Sequence, residues 1–218
     1  MNYFKYKLLI VILITVLSCK QEEKISVVDS VISNNESKTE VIIEKDKKFI
    51  LDNLLQYDSE EALKKAFKGK VKRVKGYYPE GMGEFMKTVV FPNTKNEVEF
   101  IWKDDSLHFN GLIQVKVYKD STDWKTKEGI TIGTDLRTLE KLNKKPFSFY
   151  GFEWDYGGMK NWDNGSLLNR NMSVYLALPE TVDFSDYEKL LGDSQFKSNS
   201  KIAQKVNPTV SELSLIKK

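Results

Sequence analysis

The chain has 218 residues, with 34 basic and 31 acidic side chains, one histidine and one cysteine. So even a balance excludes the clustered basic excess of a nucleic-acid binder. A lone cysteine excludes an intramolecular disulfide and, with a lone histidine, leaves no Cys/His ligand set for structural zinc.

The first element is an address. Lys5 and Lys7 precede an uncharged run from Leu8 to Ser18, which ends at Cys19. A basic start followed by a short apolar run is the pattern of a secretory signal. The run falls short of the roughly 20 apolar residues that a permanent membrane-spanning helix needs. An unpaired cysteine at that place needs a reason. Val16-Leu17-Ser18-Cys19 resembles the lipobox of bacterial lipoproteins. The resemblance implies cleavage before Cys19, attachment of a diacylated glyceryl group to its sulfur as a thioether (acyl chains of the palmitate kind) and, usually, acylation of the freed amine. Residues 1–18 are then a lipoprotein signal peptide, and the mature chain carries 32 basic against 31 acidic groups once Lys5 and Lys7 are removed.

Lys20-Gln21-Glu22-Glu23-Lys24 resembles the charged export signal of Bacteroidota surface lipoproteins. It implies a protein lipid-anchored in the outer membrane and displayed at the cell surface, with a periplasm-facing position as the alternative. Residues 19–48 are rich in Lys, Glu, Ser and Asn and have no room for a core. They read as a lipidated flexible tether, spanning about 30 Å if coil-like.

A first α+β unit is expected over residues 49–128. Asp58 is placed to cap a helix, with Glu61 three residues on, as in a capping box. Leu63, Ala66 and Phe67 then share one helical face, and Gly69 ends it. Lys68 to Lys75 is a basic stretch that reads as a lysine-guarded edge strand. Met86–Phe91, Val98–Trp102 and Leu112–Tyr118 are short strands between turn signals, the pattern of an antiparallel sheet.

A second unit is expected over 129–193. Thr134 and Asp135 start a helix with Leu136, Leu139 and Leu142 on one face. Asn143 and Pro146 stop it. Phe147–Tyr156 and Met172–Leu178 read as strands, Asn164-Gly165 as a turn, and Ser185–Leu191 as a brief helix. At a shift of 76 residues Leu63, Ala66, Val98 and Phe100 fall on Leu139, Leu142, Val174 and Leu176, which raises the question of a tandem repeat. Residues 194–218 read as a polar tail, either disordered or docked as a short segment through Val210, Leu213, Leu215 and Ile216. The fold class expected is α+β, an antiparallel sheet with helices packed on one face.

The stretch Gly129–Phe147, followed by Tyr150–Gly158, resembles uncharacterised lipoproteins of Bacteroidota. More loosely it is similar to helix-plus-hairpin modules of outer-membrane assembly lipoproteins and of β-lactamase-inhibitor-like proteins. The resemblance implies a helix on an antiparallel sheet, and binding rather than catalysis. It transfers no functional residues.

The densest chemical feature is Phe147–Gly158. On a strand, Tyr150, Phe152, Trp154 and Tyr156 share one face. They are either the core face or, with Trp162 and the polar Asp155, Asp163 and Asn164, a binding face for a glycan or protein. Tryptophan and tyrosine carry interface energy at low entropic cost. Glu153 and Asp155, two apart on a strand, are separated by about 7 Å, but catalytic carboxylate pairs face each other across a cleft. One histidine, His108, and the lack of a Gly-x-Ser-x-Gly elbow leave no serine triad. The function expected is a membrane-anchored lipoprotein with a non-catalytic domain that binds a protein or envelope component. The alternative is glycan binding or processing. No cofactor and no metal are expected. The candidate binding residues are Trp154, Tyr156, Trp162, Asp155 and Asp163, and Cys19 is the lipidation site.

Overall fold

The computed structural model describes residues 48–78 and 82–218. The signal segment, Cys19 and nearly all of the 19–48 tether lie outside the described residues. A 3₁₀ turn at Leu51–Gln56 leads into α1 (Glu60–Phe67). Four strands follow: β1 (Val71–Tyr77), β2 (Glu84–Val90), β3 (Val98–Asp104) and β4 (Asn110–Val117). Then come α2 (Leu136–Asn143), β5 (Ser148–Tyr150), β6 (Lys160–Asn161) and β7 (Met172–Ala177). The chain continues through α3 (Phe184–Tyr187), β8 (Gln195–Lys197), α4 (Lys201–Val206) and β9 (Thr209–Ile216). The fold is α+β: a six-stranded antiparallel sheet of order β1-β2-β3-β4-β9-β7, and a three-stranded sheet of order β6-β5-β8.

The helix ends follow from local chemistry. Asp135 caps α2 by accepting from the Thr138 N–H at 2.9 Å. Lys144, with φ of 59° in the left-handed region, ends that helix ahead of Pro146. In α1 the cap is Ser59, one residue later than expected, which accepts from the Ala62 N–H at 3.3 Å. Asp58 is engaged elsewhere: it accepts from the Leu112 N–H at 3.1 Å and pairs with Lys217 at 2.9 Å.

Both helices are pinned to strands at their first residue. The Glu60 N–H donates to the Phe109 carbonyl at 2.9 Å, and the Leu136 N–H to the Pro208 carbonyl at 2.8 Å. Phe109 immediately precedes β4, and Pro208 immediately precedes β9. These two strands are neighbours in the middle of the large sheet. Each carries one extra residue against its outer partner: Ile113 in β4 where β3 passes from Ile101 to Trp102, and Ser211 in β9 where β7 passes from Tyr175 to Leu176. The helix–strand–bulge arrangement therefore occurs twice. The helices keep the 76-residue spacing; β4 and β9 do not.

The reading of residues 194–218 as a polar tail is corrected: of its two alternatives the docked one holds, and it is far more than a short segment. These residues hold β8, α4 and β9, and β9 pairs with β4 on one side and β7 on the other. Through β9, strands from the 49–128 and 129–193 stretches belong to a single sheet.

The core lies under one sheet face. Phe100 and Trp102 of β3, Val115 and Val117 of β4, and Leu213 and Leu215 of β9 are buried there with Leu63 of α1 and Leu136 and Leu139 of α2. Burial of such a side chain contributes about 1.5–3 kcal/mol. The basic stretch falls on β1, at the sheet edge. There charge discourages pairing with another chain. Arg73 stays exposed but lies over the core edge, with its guanidinium 3.7 Å from the Phe109 ring centroid and 2.6 Å from the buried Glu60 carboxylate. Burial opposes ionisation of Glu60, but Arg73 and Lys64 outweigh it and hold its carboxyl below the ordinary glutamate range.

Candidate functional site

The aromatic run does not extend as one strand from Phe147 to Tyr156. β5 stops at Tyr150. Backbone geometry is the reason. Gly151 fits against the carbonyls of Gly192 and Leu190, where an added Cβ would lie 2.5 and 2.7 Å from their oxygens. Glu153 has φ of 65°, in the left-handed region, and Gly158 has φ of 71°. The Gly157 N–H closes a turn onto the Trp154 carbonyl at 2.8 Å. The Leu176 N–H then binds the Gly158 carbonyl at 2.9 Å and fastens the turn to β7.

The turn splits the run in two. Phe147, Phe149 and Phe152 are buried, whereas Trp154 is half-buried and Tyr156 is 56% exposed. The Trp154 indole N–H donates to the Gly151 carbonyl at 3.0 Å. Its ring meets Tyr150 and Tyr156 edge-on, each at 5.3 Å between centroids. Core describes the first half of this run; the second half is turned toward solvent.

A groove of about 770 Å³ opens beside this turn. Trp154, Phe184 and Tyr187 line it with rings, Leu178 and Val182 with aliphatic surface. Phe184 is 71% exposed and lies stacked on Tyr187, 6.2 Å between centroids. Glu153 and Glu180 are the only charged lining residues. Burial and the neighbouring Glu153 carboxylate push the Tyr187 phenol up, so it stays a neutral hydrogen-bonding group.

At Gly157 and Leu176 this groove meets a second, of about 700 Å³, that crosses the outer face of the large sheet. Tyr77, Tyr78, Phe85, Tyr118 and Tyr175 line that face. Lys87 with Glu99 at 2.5 Å, and Lys116 with Glu212 at 3.2 Å, pair charges across it.

The five predicted residues do not form one constellation. Trp154 lines the first groove and Tyr156 packs on it. Asp155 is exposed and lines neither groove. Asp163 is committed to Lys197 at 3.0 Å and accepts from the Ser148 hydroxyl at 2.9 Å. Trp162 is buried, 3% exposed, with its ring on Phe147 at 5.3 Å and its indole N–H unpartnered among the described residues. With Glu153 in a left-handed turn, the strand spacing assumed for a Glu153–Asp155 pair does not apply. Sequence reasoning missed Phe184, Tyr187 and Glu180. The signal available was two large aromatics three apart at the start of a brief helix, one of which had no core to face.

Among the described residues no group of three or more His, Cys, Asp or Glu is placed to hold a metal ion, and no helix is long and apolar enough to cross a membrane. No protein-family model matches the chain. A comparison with curated proteins finds no match. Among solved structures, the uncharacterized protein yfeY from Escherichia coli is similar at 13% identity and a TM-score of 0.35, covering 72% of this chain and 88% of that one.

Proposed function

We propose that the chain is a lipid-anchored envelope lipoprotein whose folded domain binds a protein partner, through a basic segment seated in the Trp154–Phe184 groove. The observation that carries this reading is the lining: the half-buried rings of Trp154 and Tyr187 and the exposed ring of Phe184 on the walls, with carboxylates as the only charges among the described residues. A lysine or arginine over a tryptophan face contributes about 0.5–1 kcal/mol when exposed and about 2 when desolvated. Glu153 and Glu180 add attraction to the same charge. The lipobox and the polar stretch after Cys19 support the anchor and the tether. The half-buried Trp154 with the exposed Tyr156 packed on it favours a second reading, stacking against a sugar ring.

Of the four tryptophans, Trp102, Trp124 and Trp162 are 2–3% exposed, so Trp154 dominates any ligand-dependent change in emission. The test titrates the full chain with oligo-arginine and oligo-lysine peptides, oligo-glutamate and a panel of oligosaccharides. The expected result is a Trp154 response to basic peptides that Trp154→Ala removes. A response to sugars alone replaces the protein reading with the glycan one, and silence throughout sinks both. For the anchor, palmitate labelling is expected in the native chain and absent in Cys19→Ala.

A further inference from the structure

A second site lies away from the aromatic groove and shares no lining residue with it. It is a pocket of about 420 Å³ beside β6, within the range of roughly 300–1,000 Å³ usual for small-molecule clefts. Met159, Trp162, Leu168, Met172 and Ile216 give it an apolar side, Tyr150, Asn161, Asn171 and Gln195 add polar groups, and Lys160 is its only charged lining residue among those described. Leu168 and Ile216 are 47% and 41% exposed.

Lys160 is held in place on two sides. Its ammonium donates to the Met172 carbonyl at 2.9 Å and stands 4.7 Å from the Trp162 ring centroid. An ammonium has three N–H donors, and this is its one hydrogen bond among the described residues. No carboxylate pairs with it there either. Arg170 on the adjoining turn is committed to Asp52 and Glu128, and Lys197 on β8 to Asp163. Tyr150 is the only other titratable group in the lining. Lys160 is half-buried, and a charge drawn out of water normally has a partner. Burial alone, with nothing opposing it, pushes the Lys160 amine down to about 8.

We infer that this pocket binds a small amphiphile: a carboxylate carrying a short hydrocarbon chain, with its head on the free N–H groups of Lys160 and its chain on the apolar side. Each half of the ligand answers one feature of the pocket. The anion gives the unpaired ammonium its counter-charge, and the chain covers Leu168, Met172 and Ile216. The site is independent of the partner-binding reading above.

The experiment uses the full chain in nanodiscs and follows reductive dimethylation of Lys160 by mass spectrometry, with octanoate, octanol and acetate as probes. Octanoate is expected to slow modification of Lys160 several-fold, and octanol and acetate to leave it unchanged. Protection is expected to fade above about pH 8, as the free amine loses its proton and with it the attraction to the head group. Octanoate binding, read by calorimetry, is expected to persist in Lys160→Arg and to vanish in Lys160→Met. Leu168→Asp at the exposed rim is expected to weaken it without touching the lysine. Equal protection by octanol overturns the role of the charge, and equal protection by acetate overturns the role of the chain. Undiminished octanoate binding in Lys160→Met overturns the site.

Discussion

The two halves of the segment from Phe147 to Gly158 both carry large rings and are opposite in fate. Phe147, Phe149 and Phe152 are buried, and Trp154 and Tyr156 face solvent to different degrees. Polarity separates them in part, since Glu153 and Asp155 fall only in the second half and its rings are Trp and Tyr. Backbone conformation completes the division. Three residues of β5 hold the first half between β6 and β8, and the left-handed Glu153 and Gly158 turn the second half outward. An aromatic cluster is thus assigned to core or to surface by the few residues that punctuate it.

Four measurements break or sharpen that contrast. Phe149→Ala is expected to cost about 3–5 kcal/mol in urea unfolding, because it empties a site that is 1% exposed. Gly158→Ala comes next, at roughly 1–3 kcal/mol from left-handed backbone strain alone. The added Cβ also runs into the Leu176 backbone, so the turn must lift off β7, and calorimetric melting will read the loss.

The third is a pH effect at Lys160, which closes the hairpin that buries Phe149. The folded amine gives up its proton near 8, and an unfolded lysine near 10.4. Between those values the unfolded chain holds more protons, so stability rises with pH. The native protein is expected to gain on the order of 2 kcal/mol relative to Lys160→Met as pH moves through that window. A flat difference across it would mean that the amine is not desolvated. The smallest effect is at Tyr156→Ala, expected within about 0.5 kcal/mol of the native protein. A loss there comparable to that at Phe149 would erase the division between the halves.

Much of the framework was legible before the structure. Asp135, Leu136, Leu139, Asn143 and Pro146 marked α2 because capping and stop signals are local. The hairpin strands β2, β3 and β4 were legible because turn residues separate them. β9 was not. Its buried residues Val210, Leu213 and Leu215 are spaced three and then two apart, since Ser211 is an extra residue in the pairing with β7. A bulge of this kind breaks the alternation that identifies a strand, and Ser211, Glu212 and Ser214 then read as tail. The groove was half legible. Trp154 stood out by type, but Phe184, Tyr187 and Glu180 reach it only through the path of the chain after β7. Trp162 was misplaced for the opposite reason: a turn-flanked tryptophan looks exposed, yet Phe147 covers it.

β9 also sets an order of events. It follows every strand it joins, and its pairing with β4 reaches across about a hundred residues of chain. Until the region from Thr209 onward is in place, the inner edge of β4 has no partner and β7 has no neighbour in the large sheet. Such long-range closure folds slowly, and an open edge of this kind recruits other chains. The chain is therefore at its most adhesive until β9 has paired, and whatever shelters it in that interval governs how much of it is ever recovered in folded form.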